Sequence, residues 1–156
     1  MTSRSTGVSP RHVPDVKVTL STLWVFAMLN YLYADVMTLM NPEELKVIMT
    51  GSVGPMQVTQ GFLLGAAVLM ETAIAMVLLS RVLRYRANRW ANIIAGVLHT
   101  AAVFGSLFVG TGPALYYLFF AVIEIACTAF IVWYAWRWKE QGASMSVRVP
   151  GEAING

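Results

Sequence analysis

Four long stretches of the chain are almost free of charged side chains, and the breaks between them are short and rich in Arg, Gly or Pro. They run from about Val18 to Met40, Gln57 to Ser80, Trp90 to Val109 and Pro113 to Trp136. Each is near the ~20 residues a helix needs to cross ~30 Å of hydrocarbon. Strict alternation of apolar and polar positions is absent, which removes a membrane barrel. A helix is then the only spanning element, because backbone groups in lipid must be satisfied within their own segment. The expected fold is all-α: a polytopic membrane protein with a four-transmembrane-helix bundle and a short outer interfacial helix. A polar cytoplasmic tail covers 1–17, the membrane domain 18–138, and a flexible cytoplasmic tail 139–156. The first apolar run is too long for a signal-peptide core and is read as a retained span.

The breaks carry their own signals. After the first span, Asn41-Pro42-Glu43-Glu44 combines an N-cap residue, Pro at the first position and acids in the first turn. A short helix on the outer surface is expected there, ended by Gly51 and Gly54-Pro55. Gly110-Thr111-Gly112-Pro113 is expected to be a tight turn that makes the last two spans antiparallel neighbours. Small residues at Gly61/Gly65, Ala91/Ala95, Ala101/Gly105 and Ala102/Ser106 are the kind that let helix backbones approach in lipid.

Composition agrees with this reading. Hydrophobic residues make up 57% of the 156 residues and charged residues 12%, against roughly 25% charge in a soluble domain. The single cysteine, Cys127, excludes an intrachain disulfide and reads as a small core residue. The net charge of +3 comes from residues beside the spans, so it speaks for orientation and not for nucleic acid.

That orientation follows from where the basic residues lie. Arg4, Arg11 and Lys17 precede the first span; Arg81, Arg84, Arg86 and Arg89 join the second and third; Arg137, Lys139 and Arg148 follow the fourth. Only Lys46 falls on the other side. By the positive-inside rule both termini and the arginine loop are expected to face the cytoplasm, with the chain in the plasma (inner) membrane. Trp90, Trp133, Trp136 and Trp138 mark the same side. Arg81, Arg84, Arg86 and Arg89 are expected to meet lipid headgroups.

The ionisable residues inside the spans are the candidate chemistry. Asp35, Glu71, His99 and Glu124 place one such group on each span, and no Lys or Arg joins them. Three unpaired charges at mid-membrane would cost roughly 8–10 kcal/mol, comparable to the whole stability of a typical domain. The acids are therefore expected to be neutral, to share protons, to meet water or to bind an external cation. At 1.5 Å per residue, Glu71 and His99 lie roughly 13 Å from the cytoplasmic end and Glu124 roughly 18 Å, with Asp35 nearer the outer mouth. Helical spacing groups Gln60 with Glu71, Asn92 with His99 and Ser106, Tyr117 with Glu124 and Thr128, and Tyr31 with Asp35 and Thr38. These stripes predict a polar interior column: Tyr31, Asp35, Gln60 and Tyr117 in its outer part, Glu71, His99 and Glu124 in its middle, with Asn92 on the same face. The Glu-x-x-His pattern of di-iron bundles is missing. No metal and no cofactor are expected, and no catalytic residue is assigned.

The strings Leu20-Ser21-Thr22-Leu23-Trp24-Val25-Phe26, Tyr33-Ala34-Asp35, Leu79-Ser80-Arg81-Val82-Leu83 and Tyr85-Arg86-Ala87-Asn88-Arg89-Trp90-Ala91-Asn92, with four short spans and an acid on the first, resemble an uncharacterised family of small bacterial membrane proteins, DoxX-like in layout. The resemblance covers about 18–138. It implies a four-helix membrane fold and carries over no active-site residue. A weaker similarity, in residue types alone, links the Glu and His side chains to four-helix membrane isomerases.

Three functions compete on these residues. The first is an intramembrane pocket that binds or passes a small ligand, an ion or protons; with four helices, transport would need a homo-oligomer. The second is an acid–base enzyme acting on a lipid-soluble substrate, with His99 as proton shuttle between Glu71 and Glu124. The third is a structural or accessory subunit whose polar groups fix helix register, with ~1 kcal/mol per interhelical hydrogen bond.

Overall fold

The computed structural model describes residues 15–53, 56–108 and 114–139. The tails, the Gly54-Pro55 break and the Gly110–Pro113 turn lie outside the described residues. Five helices account for most of the rest: α1 (Val16–Met40), α2 (Pro42–Met49), α3 (Gln60–Val82), α4 (Tyr85–Ser106) and α5 (Leu115–Arg137). Two short strands, β1 (Ser52–Val53) and β2 (Met56–Gln57), pair antiparallel between α2 and α3.

The helix starts have visible causes. The Asp15 side chain accepts from the Lys17 amide at 2.9 Å and caps α1. Asn41 does the same for α2 by accepting from the Glu43 amide at 3.1 Å, with Pro42 at the first position, as its sequence predicts. Thr59 caps α3 through the Phe62 amide at 3.1 Å. The β1–β2 ladder was not foreseen; it uses residues between Gly51, at φ 78°, and the start of α3.

The four long helices form a ring in the order α1–α3–α4–α5. Every adjacent pair is antiparallel, because the contacts between them run in opposite residue order. Lys17 Nζ reaches the Leu83 carbonyl at 2.8 Å while Ser21 Oγ reaches that of Val77. Thr72 meets His99 while Ser80 meets Asn92. Thr100 meets Thr128 while Tyr85 Oη donates to the Trp138 carbonyl. Cys127 Sγ points at the Leu23 carbonyl while Tyr116 meets Thr38. The core on the ring's axis holds Leu20, Trp24, Ala27, Met76, Ile93 and Ile131.

Outside, the bundle is apolar: Leu29 and Leu32 on α1, Leu64 and Leu78 on α3, Phe119 and Val122 on α5 are all exposed. α1, α3 and α5 are each long and apolar enough to cross a membrane. α4 falls short of that measure, and the reason is local. Its polar residues Asn88, Asn92 and His99 are buried in the bundle, whereas Trp90, Ile94, Val97, Leu98 and Phe104 face outward. The helices also run past the expected span limits at the arginine-bearing ends, so that Arg81, Arg86, Arg89 and Arg137 lie on terminal turns. Conversely α4 starts five residues earlier and ends three residues earlier than its expected span.

Candidate functional site

His99 is the centre of the bundle's polar interior. The α4 spacing puts it two turns from Asn92 on the inward face, and it is 2% exposed. Its ring stacks on Tyr31, centroids 5.5 Å apart and planes 24° apart, and meets Trp24 edge-on at 5.4 Å. Nε2 lies 3.0 Å from Thr72 Oγ1. Thr72 has a single hydroxyl proton, and that proton points to the Leu69 carbonyl at 2.6 Å. The threonine oxygen must then accept, so Nε2 carries a hydrogen, and in the neutral ring Nδ1 is left as the acceptor.

Toward the arginine-bearing end, the interior is closed by a complete network. Asn92 Oδ1 accepts from Trp24 Nε1 at 2.8 Å and from Ser80 Oγ at 3.2 Å. Asn92 Nδ2 donates to the Asn88 carbonyl at 2.9 Å and to Asn88 Oδ1 at 2.6 Å. Asn88 Nδ2 donates to the Ser80 carbonyl at 2.6 Å. Both lone pairs and both amide hydrogens of Asn92 are used, and Trp24, Ser80, Asn88 and Asn92 are fully buried. Such a network rigidifies the bundle and has no group left over for a ligand.

On the other side of His99 the polar groups are not satisfied. Glu124 on α5 is 5% exposed, and its Oε1 has no hydrogen-bond partner. The buried Tyr31 hydroxyl has none either. Glu124 lies close enough to Tyr31 for the two to interact electrostatically, and so do Asp35 and Glu124. Asp35 itself is exposed, one turn beyond Tyr31 on α1. Half-buried Tyr117, two turns from Glu124 on α5, donates to Ser106 Oγ at 2.6 Å. A buried polar atom without a partner costs about 1–3 kcal/mol, so two of them in one interior demand a reason.

The expected column is therefore only partly assembled. Tyr31, His99 and Glu124 converge, with Tyr117 and Asp35 toward the open end. Asn92 is interior but belongs to the closed network. Glu71 is exposed on α3 and does not join them; Gln60, eleven residues earlier on the same face, is exposed as well. The neighbour of Glu71, Thr72, reaches His99, so Glu71 lies at the axial level of His99 but on another face of α3. One residue along a helix turns the side chain by 100°, and that rotation replaces the expected acid with a hydroxyl. Thr72, Trp24, Ser80 and Asn88 were not singled out; a hydroxyl or amide in an apolar run was the available signal. Among the described residues no three His, Cys, Asp or Glu side chains gather to hold a metal.

The arginines divide as well. Arg84 and Arg86 are exposed. Arg81 Nε donates to Ser21 Oγ at 3.1 Å, and Arg89 Nη2 donates to the Trp136 carbonyl at 3.1 Å, closing the last turn of α5. The GxxxG spacing does not serve contact within the chain: Gly65 has open space where a Cβ would lie. The close approach is at Gly96, where a Cβ would sit 2.6 Å from Val132 Cγ2 and 3.3 Å from the Thr128 carbonyl.

Comparison with known proteins yields one match. A family of unknown function (DUF6326) matches residues 13–144. The chain belongs to that family. Its matched region takes in every helix described above, so the Tyr31–His99–Glu124 centre and the asparagine network both lie within the DUF6326 region. No curated protein and no solved structure matches.

Proposed function

We propose that this DUF6326 member is a four-span membrane protein that binds a small cation at Glu124, in a site formed with Tyr31 and His99. The four-span reading rests on α4, whose buried face is polar and whose exposed face is apolar. That is the inverse of a helix on a water-soluble bundle and suits lipid on the outside. Four antiparallel spans bring both termini and the arginine loop to one side, and the positive-inside rule supports reading that side as cytoplasmic and α2 as lying on the outer surface.

The observation that carries the site is the pair of orphaned buried atoms, Glu124 Oε1 and the Tyr31 hydroxyl, with the His99 ring stacked on Tyr31. Two acids, Glu124 and Asp35, are close enough to interact, and all four helices lack Lys and Arg at this depth. A cation, the proton being the smallest, supplies the missing charge, and the Tyr31 ring adds a π face. The closed Trp24–Ser80–Asn88–Asn92 network favours binding from the Asp35 side over passage through a single chain. An acid–base reaction with His99 flanked by Glu71 and Glu124 is disfavoured, because Glu71 is on the outer face.

Equilibrium binding of methylammonium, a small cation with N–H donors, to the full chain in detergent micelles tests the proposal. Binding weakened by about tenfold or more in Glu124→Gln, and unchanged in Glu71→Gln, is expected. Equal affinity in Glu124→Gln and the parent, or no binding in either, contradicts it.

A further inference from the structure

A groove of about 510 Å³ runs along the outside of the bundle between α4 and α5. Val97, Ala101 and Phe104 line one wall; Val132, Trp133 and Trp136 line the other. Its surface is almost wholly apolar, and the one hydroxyl beside it, on Thr100, is turned inward to Thr128 at 2.8 Å. Gly96 lets α4 approach α5 at Val132, a residue of the groove's wall. On α4 the groove's lining runs from Val97 to Phe104 and on α5 from Ala129 to Trp136. That is roughly 10 Å at 1.5 Å per residue, which seats part of an acyl chain within the ~15 Å depth of one leaflet.

The end of this groove is cationic. The Arg89 guanidinium lies over the Trp136 ring at 5.5 Å, and that of Arg137 over the Trp133 ring at 5.1 Å. Arg89 Nε is buried and has no partner, although another nitrogen of the same group holds the α5 carbonyl. Stacking on a ring leaves the in-plane N–H donors of a guanidinium directed at its rim, which is the geometry that grips a phosphate. An apolar trough with two arginines stacked on tryptophans at one end matches a molecule with an acyl chain and an anionic phosphate.

We propose that the α4–α5 groove is a binding site for one anionic phospholipid of the cytoplasmic leaflet. The acyl chain lies between Val97, Ala101 and Val132, and the phosphate meets Arg89 and Arg137. The exposed Arg84 and Arg86 contribute only diffuse attraction. The site is separate from Glu124 and does not depend on what binds there.

Native mass spectrometry of the full chain, titrated with phosphatidylglycerol and with phosphatidylcholine of the same acyl chains, tests this. One phosphatidylglycerol per chain is expected to be retained in preference, with a selectivity of about fivefold for each arginine. Arg137→Gln, which breaks no described hydrogen bond, should lower the selectivity, and Arg89→Gln should lower it further. Ala101→Phe, which fills the trough, should weaken both lipids. Arg84→Gln with Arg86→Gln should leave the selectivity in place. Equal retention of the two lipids by the parent chain overturns the proposal. So does selectivity that survives Arg137→Gln combined with Arg89→Gln, or that falls as much in the Arg84/Arg86 variant. Circular dichroism of each variant separates lost lipid from lost fold.

Discussion

Tyr31 stacks on His99 with ring centroids 5.5 Å apart, yet its own hydroxyl is buried without a partner. The ring and the hydroxyl therefore pull in opposite directions on stability. Tyr31→Phe keeps the stacking and removes the orphaned group. Unfolding of the ligand-free protein in mixed micelles should show no loss and up to about 1–2 kcal/mol of gain, while affinity for methylammonium falls. Gain of stability with loss of binding marks a group retained for function.

Asn92 gives the opposite result. Asn92→Ala strands the Trp24 indole N–H, the Ser80 hydroxyl and Asn88 Oδ1 in a dry interior. A loss of about 2–3 kcal/mol is expected in the same unfolding measurement, with cation affinity unchanged in the fraction that stays folded.

The glycines separate packing from spacing. In Gly96→Ala the new methyl meets Val132 Cγ2 and the Thr128 carbonyl, and overpacking should cost about 1–3 kcal/mol. Val132→Ala in the same chain should restore part of that loss, because the side chain is the nearer obstacle. Gly65→Ala meets nothing within 4 Å and should be neutral or stabilising by about 0.5–1 kcal/mol.

These contrasts show where one-dimensional reasoning stops. The Asn41 cap and the start of α2 were legible because a cap is a local event. So was the inward face of α4, since Asn92 and His99 recur at heptad spacing. Glu71 was not, because spacing groups residues on a face without saying which way the face turns. Rotation of α3 is decided by Ala73, Met76 and Ser80 packing against its neighbours, and small residues such as Ala73 carry little signal of their own. Gly61 and Gly65 fit a contact motif, but the close helix contact belongs to Gly96.

The path of α4 is open to direct test. In a Cys127→Ser background, Arg86→Cys and Leu115→Cys bracket this helix, and both positions are exposed. A membrane-impermeant maleimide added to intact cells should label Leu115→Cys, and should label Arg86→Cys only after permeabilisation. Labelling of both from the same side means that α4 does not cross.

In the proposed site Glu124, and not Glu71, is the acid that receives the cation. Infrared difference spectroscopy of the carboxyl stretch on adding methylammonium reads that event directly. A difference band that disappears in Glu124→Gln and persists in Glu71→Gln is the expected result. A band that persists in Glu124→Gln, or disappears in Glu71→Gln, contradicts it.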